Sequence, residues 1–297
     1  MKYIYIMLCA LTALSSCGKK ETTDQKQKTK PRIKALIYAD PAFVNITQEL
    51  SDVYESINDS VDFEVVPLAE DLAIKKIVND SAVMAVVSRP LFAHEAEQLS
   101  SYQKVAKDYL FAHDALAFVV NRADKDSLLS EQDIINTLTN NPKQKKIVFE
   151  ANYSSSIGAV ENMLRSDTLN KYSFATKNVE ELFNFVATNT NAIGILGSNT
   201  YSNIDDSTLA KLFSKVRLVG VTVSKKPYYP FQADIAAKKY PFSRNIYIIN
   251  SEHFYGKYSG FKNFVIGLKG QRIVLKSGLM PIDIPSRLLN FVKKRES

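Results

Sequence analysis

Three consecutive serines, Ser154, Ser155 and Ser156, stand between a β-branched run and an amphipathic helical pattern in "VFEANYSSSIGAVENML", Val148 to Leu164. A serine at a helix start usually accepts a hydrogen bond from a free backbone N–H group of the first turn, and one serine is enough for such a cap. Three hydroxyl groups beside unpaired N–H groups can also bind an anion. A serine nucleophile is the third possibility. The pattern alone leaves capping, anion binding and catalysis open.

Enzymatic chemistry finds little support in the rest of the chain. The segment "SSSIG" lacks the glycine two residues before the serine that a nucleophile elbow requires, and the histidines (His94, His113 and His253) form no triad-like pattern. No two histidines have the spacing of metal ligands, and the sequence contains no G-x-G-x-x-G or Walker A motif. We therefore predict that the protein is not an enzyme and has no metal site and no cofactor.

The first seventeen residues, "MKYIYIMLCALTALSSC", resemble an export signal. One basic residue, Lys2, precedes an apolar stretch from Ile4 to Leu14, which is too short to span a bilayer and suits the apolar region of a signal peptide. The ending "LSSC" resembles a bacterial lipobox, which implies that Cys17 is lipidated. The alternative is an ordinary secretory signal in which Cys17 is incidental. Cys9 lies inside the signal, so we expect no disulfide.

Residues 18–32 contain no large apolar side chain and therefore predict a solvated tether. The formal charge of the chain is +7, but its lysines are dispersed, and an exported, lipid-anchored protein rarely meets nucleic acid. We therefore expect no nucleic-acid partner. We expect an extracytoplasmic, membrane-anchored protein whose positive field favours small anionic ligands.

Apolar, β-branched runs alternate with helical patterns from residue 33 onward. The predicted strands are Ile33 to Ala39, Val61 to Leu68, Val83 to Ser88, Ala115 to Val120, Lys146 to Ala151, Ala192 to Ser198, Val216 to Val223 and Asn245 to Asn250. The clearest helical stripe contains Phe43, Ile46, Leu50, Val53, Tyr54 and Ile57. Ser130 and Asp133 form a predicted capping box at another helix start. Nearly continuous apolar strands alternating with helices indicate an α/β fold.

Ligands of such folds bind beyond the carboxyl ends of strands, where a strand meets the next helix. Three junctions of this kind are "YADPAF" after the first strand, "VVSRPLF" after the third and "EANYSSSIG" after the fifth. Each provides a helix N-terminus with free N–H donors and a partial positive charge. Hydroxyl groups and one arginine cluster around these junctions.

Several segments resemble, in order, the PstS-like substrate-binding proteins of phosphate ABC transporters. These segments are "VVSRPLFAHEAEQL", "DALAFVVN", "NAIGILG", "YPFSRNIYII" and "FKNFVIGLKGQRIVLKSGLMPI". The resemblance runs from about Ile33 to Pro281. Each motif is only moderately specific, but five of them in the correct order make a chance match improbable.

The resemblance implies a type II periplasmic-binding-protein fold, in which two α/β lobes are joined by two crossing strands and hold the ligand between them. Lobe one would comprise residues 33–120 and 225–297, and lobe two would comprise residues 121–224. The crossings would lie near "FVVN" and "VTVSKKP". Closure would then be a hinge motion of the lobes around the ligand.

The resemblance also implies where the ligand binds. "YSSSIG" stands where the family has a Gly-Ser-Gly-Thr anion loop, so Ser154, Ser155 and Ser156 would donate hydrogen bonds to an oxyanion. From the other lobe, Ser88 and Arg89 would contribute, and an arginine can bond two oxygens of a tetrahedral oxyanion at once. The alternative role for Arg89 is a structural ion pair.

The junction after the first strand would contribute backbone N–H groups of Ala42 and Phe43. Asp40 or Glu150 could accept a hydrogen bond from a protonated phosphate, although each could equally be a cap or an ion-pair partner. The first loop departs from the family pattern, because "YADPAFVN" has an acid and a proline where the family has hydroxyl groups. This departure leaves the identity of the ligand open.

From these observations we expect a lipid-anchored, monomeric solute-binding protein that passes phosphate or a similar oxyanion to an ABC permease. One alternative is a protein of the same fold without a transport role, such as a phosphate sensor or a surface protein. The other is a phosphate-processing hydrolase, which the missing nucleophile pattern and metal ligands oppose.

Overall fold

The computed structural model describes residues 32–151, 153–165, 169–202 and 207–283. The predicted signal with Cys17, and the predicted tether apart from Arg32, lie outside the described residues. In the part of the chain that is described, no helix is both long enough and apolar enough to cross a membrane.

Strands and helices alternate along most of the described chain. The strands are β1 (Ile33–Ala39), β2 (Val61–Pro67), β3 (Met84–Val87), β4 (Lys107–Asn121), β5 (Leu128–Ser130), β6 (Lys146–Phe149), β7 (Ser173–Ala175), β8 (Ala192–Gly197), β9 (Val216–Leu218), β10 (Gly220–Val223), β11 (Lys226–Tyr228), β12 (Ser243–Asn250) and β13 (Met280–Pro281). The α-helices are α1 (Val44–Ser56), α2 (Glu70–Val78), α3 (Ala93–Ser101), α4 (Glu131–Thr139), α5 (Ser155–Leu164), α6 (Val179–Thr188), α7 (Ser198–Ser202), α8 (Ser207–Phe213), α9 (Gln232–Ala236), α10 (Lys257–Ile266) and α11 (Leu268–Lys276). A 3-10 turn, Pro41–Phe43, leads into α1.

Most strands belong to one mixed sheet with the order β2-β1-β3-β12-β4-β8-β6-β7, and β9 and β13 also pair with β4. In the first half, β1 is parallel to β2 and β3. In the second half, β6 is parallel to β7 and β8. The carboxyl ends of β1 and β6 both lead into helix starts, so both halves have the strand-to-helix junctions at which α/β proteins bind ligands.

Strand β4 connects the two halves because it is 15 residues long. Its first part pairs antiparallel with β12, from Lys107 opposite Asn250 to Ala115 opposite Ser243. Its last part pairs antiparallel with β8, beginning with Leu116 opposite Gly197. A single strand therefore fixes the register between the two halves of the sheet.

A small second sheet has the order β11-β10-β5. The predicted first crossing, "FVVN", is the end of β4, where it pairs with β8 and β9. The predicted second crossing, "VTVSKKP", falls in β10 and β11 of the small sheet, and the chain returns to the main sheet at β12. The division into lobes at residues 120 and 225 stays a prediction.

Apolar clusters cover both faces of the main sheet. In one cluster of the first half, Phe43 and Leu50 pack with Phe63 and Phe261. In the second half, side chains of α6 pack against β4 and β8 on one face, and side chains around α5 and β6 form the core on the other. Strands covered on both faces need apolar side chains at successive positions, which explains the nearly continuous apolar runs in the sequence.

Candidate functional site

The three serines begin α5, directly after β6 and a short turn. Ser154 is the N-cap, and its hydroxyl group accepts a hydrogen bond from the N–H of Ser156 at 3.2 Å. Ser155 and Ser156 are also buried, so their side chains serve interactions inside the protein. Capping therefore explains Ser154 but not the other two hydroxyl groups.

The carboxylate of Asp40, which follows β1, lies at this helix start. The N–H of Ser155 donates to Oδ1 and Oδ2 of Asp40 at 3.1 and 2.9 Å, and the Ser155 hydroxyl donates to Oδ1 at 2.8 Å. Asp40 is fully buried. The helix α5 thus binds an anionic group supplied by the chain itself, from a residue 115 positions away in the sequence.

Asp40 also uses the backbone donors that the sequence assigns to the ligand. The N–H of Ala42 donates to Oδ1 of Asp40 at 2.9 Å. The N–H of Phe43 donates to the backbone carbonyl oxygen of Asp40 at 2.8 Å. Burial raises the pKa of Asp40 to about 6, although hydrogen bonds from Ala42 and Ser155 oppose that rise. Asp40 therefore titrates close to neutral pH.

A second buried carboxylate, Glu150, binds the other serine hydroxyl groups. Its Oε1 accepts from Ser156 at 2.7 Å and from Ser154 at 3.3 Å. Its Oε2 accepts from the N–H of Gly197 at 3.1 Å and from the hydroxyl of Thr200 at 3.3 Å. Glu150 therefore ties the start of α5 to the end of β8.

The arginine beside the serines is Arg244, at the start of β12. Its Nη1 donates to the hydroxyl oxygens of Ser155 and Ser156, both at 3.2 Å. The guanidinium carbon lies 4.9 Å from the centre of the Phe43 ring. Sequence reasoning missed this residue as a site residue, although it lies in the "YPFSRNIYII" segment that carries the family resemblance.

Arg244 is held by Asp114 on the neighbouring strand β4, directly opposite it in the register. Nε and Nη2 of Arg244 lie 2.8 and 2.7 Å from Oδ2 of Asp114. Oδ1 of Asp114 accepts from the N–H and hydroxyl of Ser198, at 2.9 and 2.6 Å. Burial alone would lower the pKa of Arg244, but the charges of Asp114, Glu150 and Asp40 outweigh it and raise the pKa. The guanidinium therefore stays charged.

Arg89, the arginine that the sequence assigns to the ligand, is engaged in ion pairs. Its Nη1 and Nη2 bind the two carboxylate oxygens of Glu95 at 2.9 and 3.0 Å. Nη2 also lies 3.1 Å from Asp71, and Nε lies 3.8 Å from Glu70. The guanidinium stacks on Phe92 at 4.1 Å. This geometry favours the alternative of a structural ion pair for Arg89.

Two cavities flank the serine cluster. One, of about 710 Å³, is lined by Ser154, Ser155, Glu70 and Asp71, among others. The other, of about 320 Å³, is lined by Ser88, Arg89 and Arg244, among others. Ser88 donates its N–H to Glu70. The structure therefore brings Asp40, Ala42, Phe43 and the serines into one cluster, with Ser88 and Arg89 at a separate cavity.

Asn199 makes a further contact between the two halves of the sheet. Its Nδ2 donates to the carbonyl oxygen of Ala42 at 3.1 Å, and its buried Oδ1 has no hydrogen-bond partner among the described residues. Sequence reasoning missed Asn199, because nothing in the local pattern distinguishes it from a helix cap. Among the described residues, no group of three His, Cys, Asp or Glu side chains could hold a metal ion.

Two α/β halves that meet at a cluster of polar side chains are the architecture of one class of binding proteins. The chain belongs to the PBP superfamily, because the model of the PBP superfamily domain matches residues 21–267. This match and the solved structures below confirm the predicted fold class. None of the curated proteins compared with the chain matches it significantly.

Solved structures of the same fold include transport receptors and a regulatory domain. A Clostridium perfringens protein described as a phosphate ABC transporter substrate-binding protein, with phosphate bound, is 18% identical with a TM-score of 0.69, over 84% of this chain and 100% of that one. An ABC-type phosphate transport receptor from Vibrio cholerae is 18% identical with a TM-score of 0.65, over 83% and 99%. The sulfate-bound regulatory domain of an OxyR2 point mutant from Vibrio vulnificus is 8% identical with a TM-score of 0.52, over 79% and 95%. At these identities the similarity establishes the fold.

Proposed function

We propose that the protein is an extracytoplasmic solute-binding protein that binds phosphate or a similar oxyanion at the start of α5. It delivers the ligand to an ABC permease and performs no chemistry on it. Membership of the PBP superfamily supports a binding role. The phosphate bound to the Clostridium perfringens protein supports phosphate as the first ligand to test.

The observation that carries this proposal is that α5 already binds an anion. The N–H and hydroxyl of Ser155 donate to the carboxylate of Asp40, and carboxylate and phosphate oxygens accept the same hydrogen bonds. Arg244 adds a charged donor group next to the hydroxyl groups of Ser155 and Ser156. Helix N–H groups, hydroxyl groups and a guanidinium are the donors that oxyanion sites use.

The proposed ligand site therefore comprises Ser154, Ser155 and Ser156 with Arg244. The N–H of Ala42 joins it when the carboxylate of Asp40 moves away, whereas the N–H of Phe43 donates to the backbone carbonyl oxygen of Asp40. We assign the arginine contact to Arg244 because it lies within 3.2 Å of two serine hydroxyl oxygens. The competing possibility is that Arg89 makes this contact, and the test below distinguishes the two arginines.

The cellular part of the proposal is supported by the sequence. The export signal and the lipobox-like "LSSC" support anchoring through a lipid on Cys17. From the same signal we propose an extracytoplasmic location without a nucleic-acid partner, and from the family resemblance we propose a monomer that works with an ABC permease.

Calorimetric titration with phosphate, sulfate and arsenate tests the proposal. A charge-assisted hydrogen bond contributes roughly 1.5–3 kcal/mol, so Arg244→Lys, which loses the planar fork, should weaken phosphate binding about tenfold or more. Ser156→Ala should weaken it several-fold. Arg89→Lys is the matched control and should bind like the wild type.

Two results would contradict the proposal. If folded wild-type protein binds none of the three oxyanions, the proposed function is wrong. If Arg89→Lys weakens binding while Arg244→Lys does not, the ligand contact belongs to Arg89. Circular dichroism and melting temperature of each variant establish that a loss of binding is not a loss of fold.

The second candidate function is a phosphate sensor without a transport role. Asp40 already uses donors that a transported ligand needs, and the fold also occurs in a sulfate-bound regulatory domain. Phosphate uptake by cells that lack the protein separates the two. Reduced uptake supports transport, whereas unchanged uptake together with phosphate binding in solution favours the sensor.

A further inference from the structure

We propose that Asp40 is a built-in occupant of the anion site, which an external oxyanion must displace, and that Asp40 thereby sets the affinity of this site. The inference rests on the proposed function, because it concerns the same site. It adds a residue that limits affinity and is itself neither a donor to the ligand nor a catalytic group.

The carboxylate of Asp40 already binds hydrogen-bond donors that an external oxyanion would use. The carboxylate of Asp40 accepts hydrogen bonds from the N–H of Ala42 and from the N–H and hydroxyl of Ser155. These bonds join the start of α1 to the start of α5, so the carboxylate lies where two chain segments converge. An external oxyanion cannot accept the same hydrogen bonds while Asp40 holds them.

The hydrogen-bond donors next to Ser155 are also bound to carboxylates of the protein. The hydroxyl of Ser156 donates to Glu150 at 2.7 Å, and the guanidinium of Arg244 lies against Asp114 at 2.7 Å. An anion added beside this cluster would meet a carboxylate at each of these donors. Binding therefore requires that at least one internal carboxylate moves away, and Asp40 is the one that holds the backbone N–H at the start of α5.

A cavity lies beside the contact between Asp40 and Ser155. The cavity of about 710 Å³ is lined by Ser154 and Ser155, so a small oxyanion can approach the donors from it. Asp40 belongs to the connection between β1 and the 3-10 turn. Its side chain can leave Ser155 without any change in the pairing of β1.

Protonation of Asp40 should weaken its hold on these donors. The charged groups that face it are Glu70 of α2, whose charge raises the pKa of Asp40, and Arg244 of β12, whose own pKa Asp40 raises. Glu150 shares the serine cluster with it. Because the pKa of Asp40 is about 6, its carboxylate competes fully above pH 7 and weakly at pH 5.

The test is calorimetric titration of Asp40→Ala and Asp40→Asn with phosphate between pH 5 and 8. At pH 8 we expect Asp40→Ala to bind phosphate at least tenfold more tightly than the wild type, and the ratio should fall towards one at pH 5. The ratio removes the part of the phosphate titration that is common to both proteins, and the same titrations with sulfate, which stays a dianion over this pH range, remove the rest. Asp108→Asn is the control, because Asp108 is a solvent-exposed carboxyl on β4 whose partial desolvation also raises its pKa, and it should bind like the wild type.

Hydrogen exchange gives a second readout that does not depend on affinity. In the absence of phosphate, the Ser155 amide should exchange faster in Asp40→Ala than in the wild type, and phosphate should restore its protection. If Asp40→Ala and Asp40→Asn bind phosphate as the wild type does or more weakly, Asp40 is not a competitor and the inference is wrong, while the proposed function stands. If neither the wild type nor the folded variants bind phosphate, sulfate or arsenate at any pH, both are wrong.

Discussion

Replacing Arg244 by methionine should destabilise the protein strongly, because it leaves the carboxylate of Asp114 buried without its cation. Asp114 is fully buried, and the side chain of Arg244 is only 7% exposed. After the replacement, the N–H and hydroxyl of Ser198 are the donors to Asp114 that remain among the described residues. Removing one partner of such a buried pair typically costs about 3–5 kcal/mol.

Neutralising Asp114 as well should recover much of this loss. In Asp114→Asn/Arg244→Met, the asparagine oxygen still accepts from Ser198, and the carboxylate that pairs with Arg244 is replaced by a neutral amide. Replacing a whole buried ion pair by neutral groups is often nearly neutral in stability. The double variant should therefore be more stable than Arg244→Met by about 2 kcal/mol. The coupling free energy is larger than this gain by the loss that Asp114→Asn causes alone.

Urea unfolding at pH 7.5, followed by far-ultraviolet circular dichroism, measures these free energies. The chain has 15 tyrosines and no tryptophan, so tyrosine fluorescence provides a second probe for two-state behaviour. Lys143→Met is the control, because Lys143 pairs with Asp126 at 2.7 Å with its side chain 63% exposed. It should cost less than about 1 kcal/mol. A loss below about 1 kcal/mol for Arg244→Met, or a double variant whose loss is the sum of both single losses, would refute the reasoning.

Three other predictions concern stability and anchoring. The pKa of Asp40 is raised from 3.8 to about 6 in the folded protein, so its stabilising contribution is fully present below pH 3.8 and is lost as the pH rises through 6. Relative to Asp40→Asn, the wild type should lose about 2 kcal/mol of unfolding free energy between pH 4 and 7; a constant difference would contradict this. Gly270→Ala should lower the melting temperature, because a Cβ there overlaps the carbonyl oxygen of Phe264. Gly158→Ala is the control: a Cβ there meets no atom within 4 Å, so this change should be neutral or stabilising by about 0.5–1 kcal/mol. Cys17→Ser should release the protein from the membrane fraction without acyl mass, and retention in the membrane would place the anchor elsewhere.

The strands were the most predictable part of the fold. The predicted strand from Ile33 to Ala39 is confirmed as β1, and the run from Ala192 to Ser198 contains β8. Every residue of β8 is buried, and an apolar run then marks the whole strand. In β1, burial alternates instead, with Ala35 and Ile37 buried and Leu36 40% exposed. The run from Val216 to Val223 is divided into β9 and β10, which pair with different strands. Local composition cannot predict such a change of partner.

Helix starts could be predicted where the capping side chains lie within a few residues of each other in the sequence. The capping box of Ser130 and Asp133 is confirmed by hydrogen bonds at 3.0 and 3.1 Å. In the stripe of α1, Leu50 and Tyr54 are buried, but Val53 is 40% exposed and Ile57 is 55% exposed. The stripe is therefore narrower than predicted, because only the side chains that face β2 and α10 are covered.

The sequence predicted which strand-to-helix junctions form the candidate site, but not which side chains contact each other there. Asp40 and the serine run follow the strands predicted to carry them, and the structure brings these two junctions together. The choice between Arg89 and Arg244 depends on strand register, because Arg244 faces Asp114 across an antiparallel pair 130 residues apart in sequence. A single sequence contains no signal for that register. A nearby acidic helix start, with Glu95 six residues away, was the local sign that Arg89 has partners of its own.

The charge of the chain and the charge of the site have opposite signs, and the local charge must dominate ligand binding. The chain has a formal charge of +7, which favours anions in the surrounding solution. With its carboxylates ionised, the buried cluster of Asp40, Asp114, Glu150 and Arg244 has a net negative formal charge, because three carboxylates face one guanidinium. Salt screens dispersed surface lysines beyond about 8 Å at physiological ionic strength, whereas buried charges are screened much less. An oxyanion is therefore attracted to the protein but repelled by the ionised cluster, and loss of charge at Asp40 is the change that lowers this repulsion most directly. The site should accordingly prefer a monoanion over a dianion of the same shape.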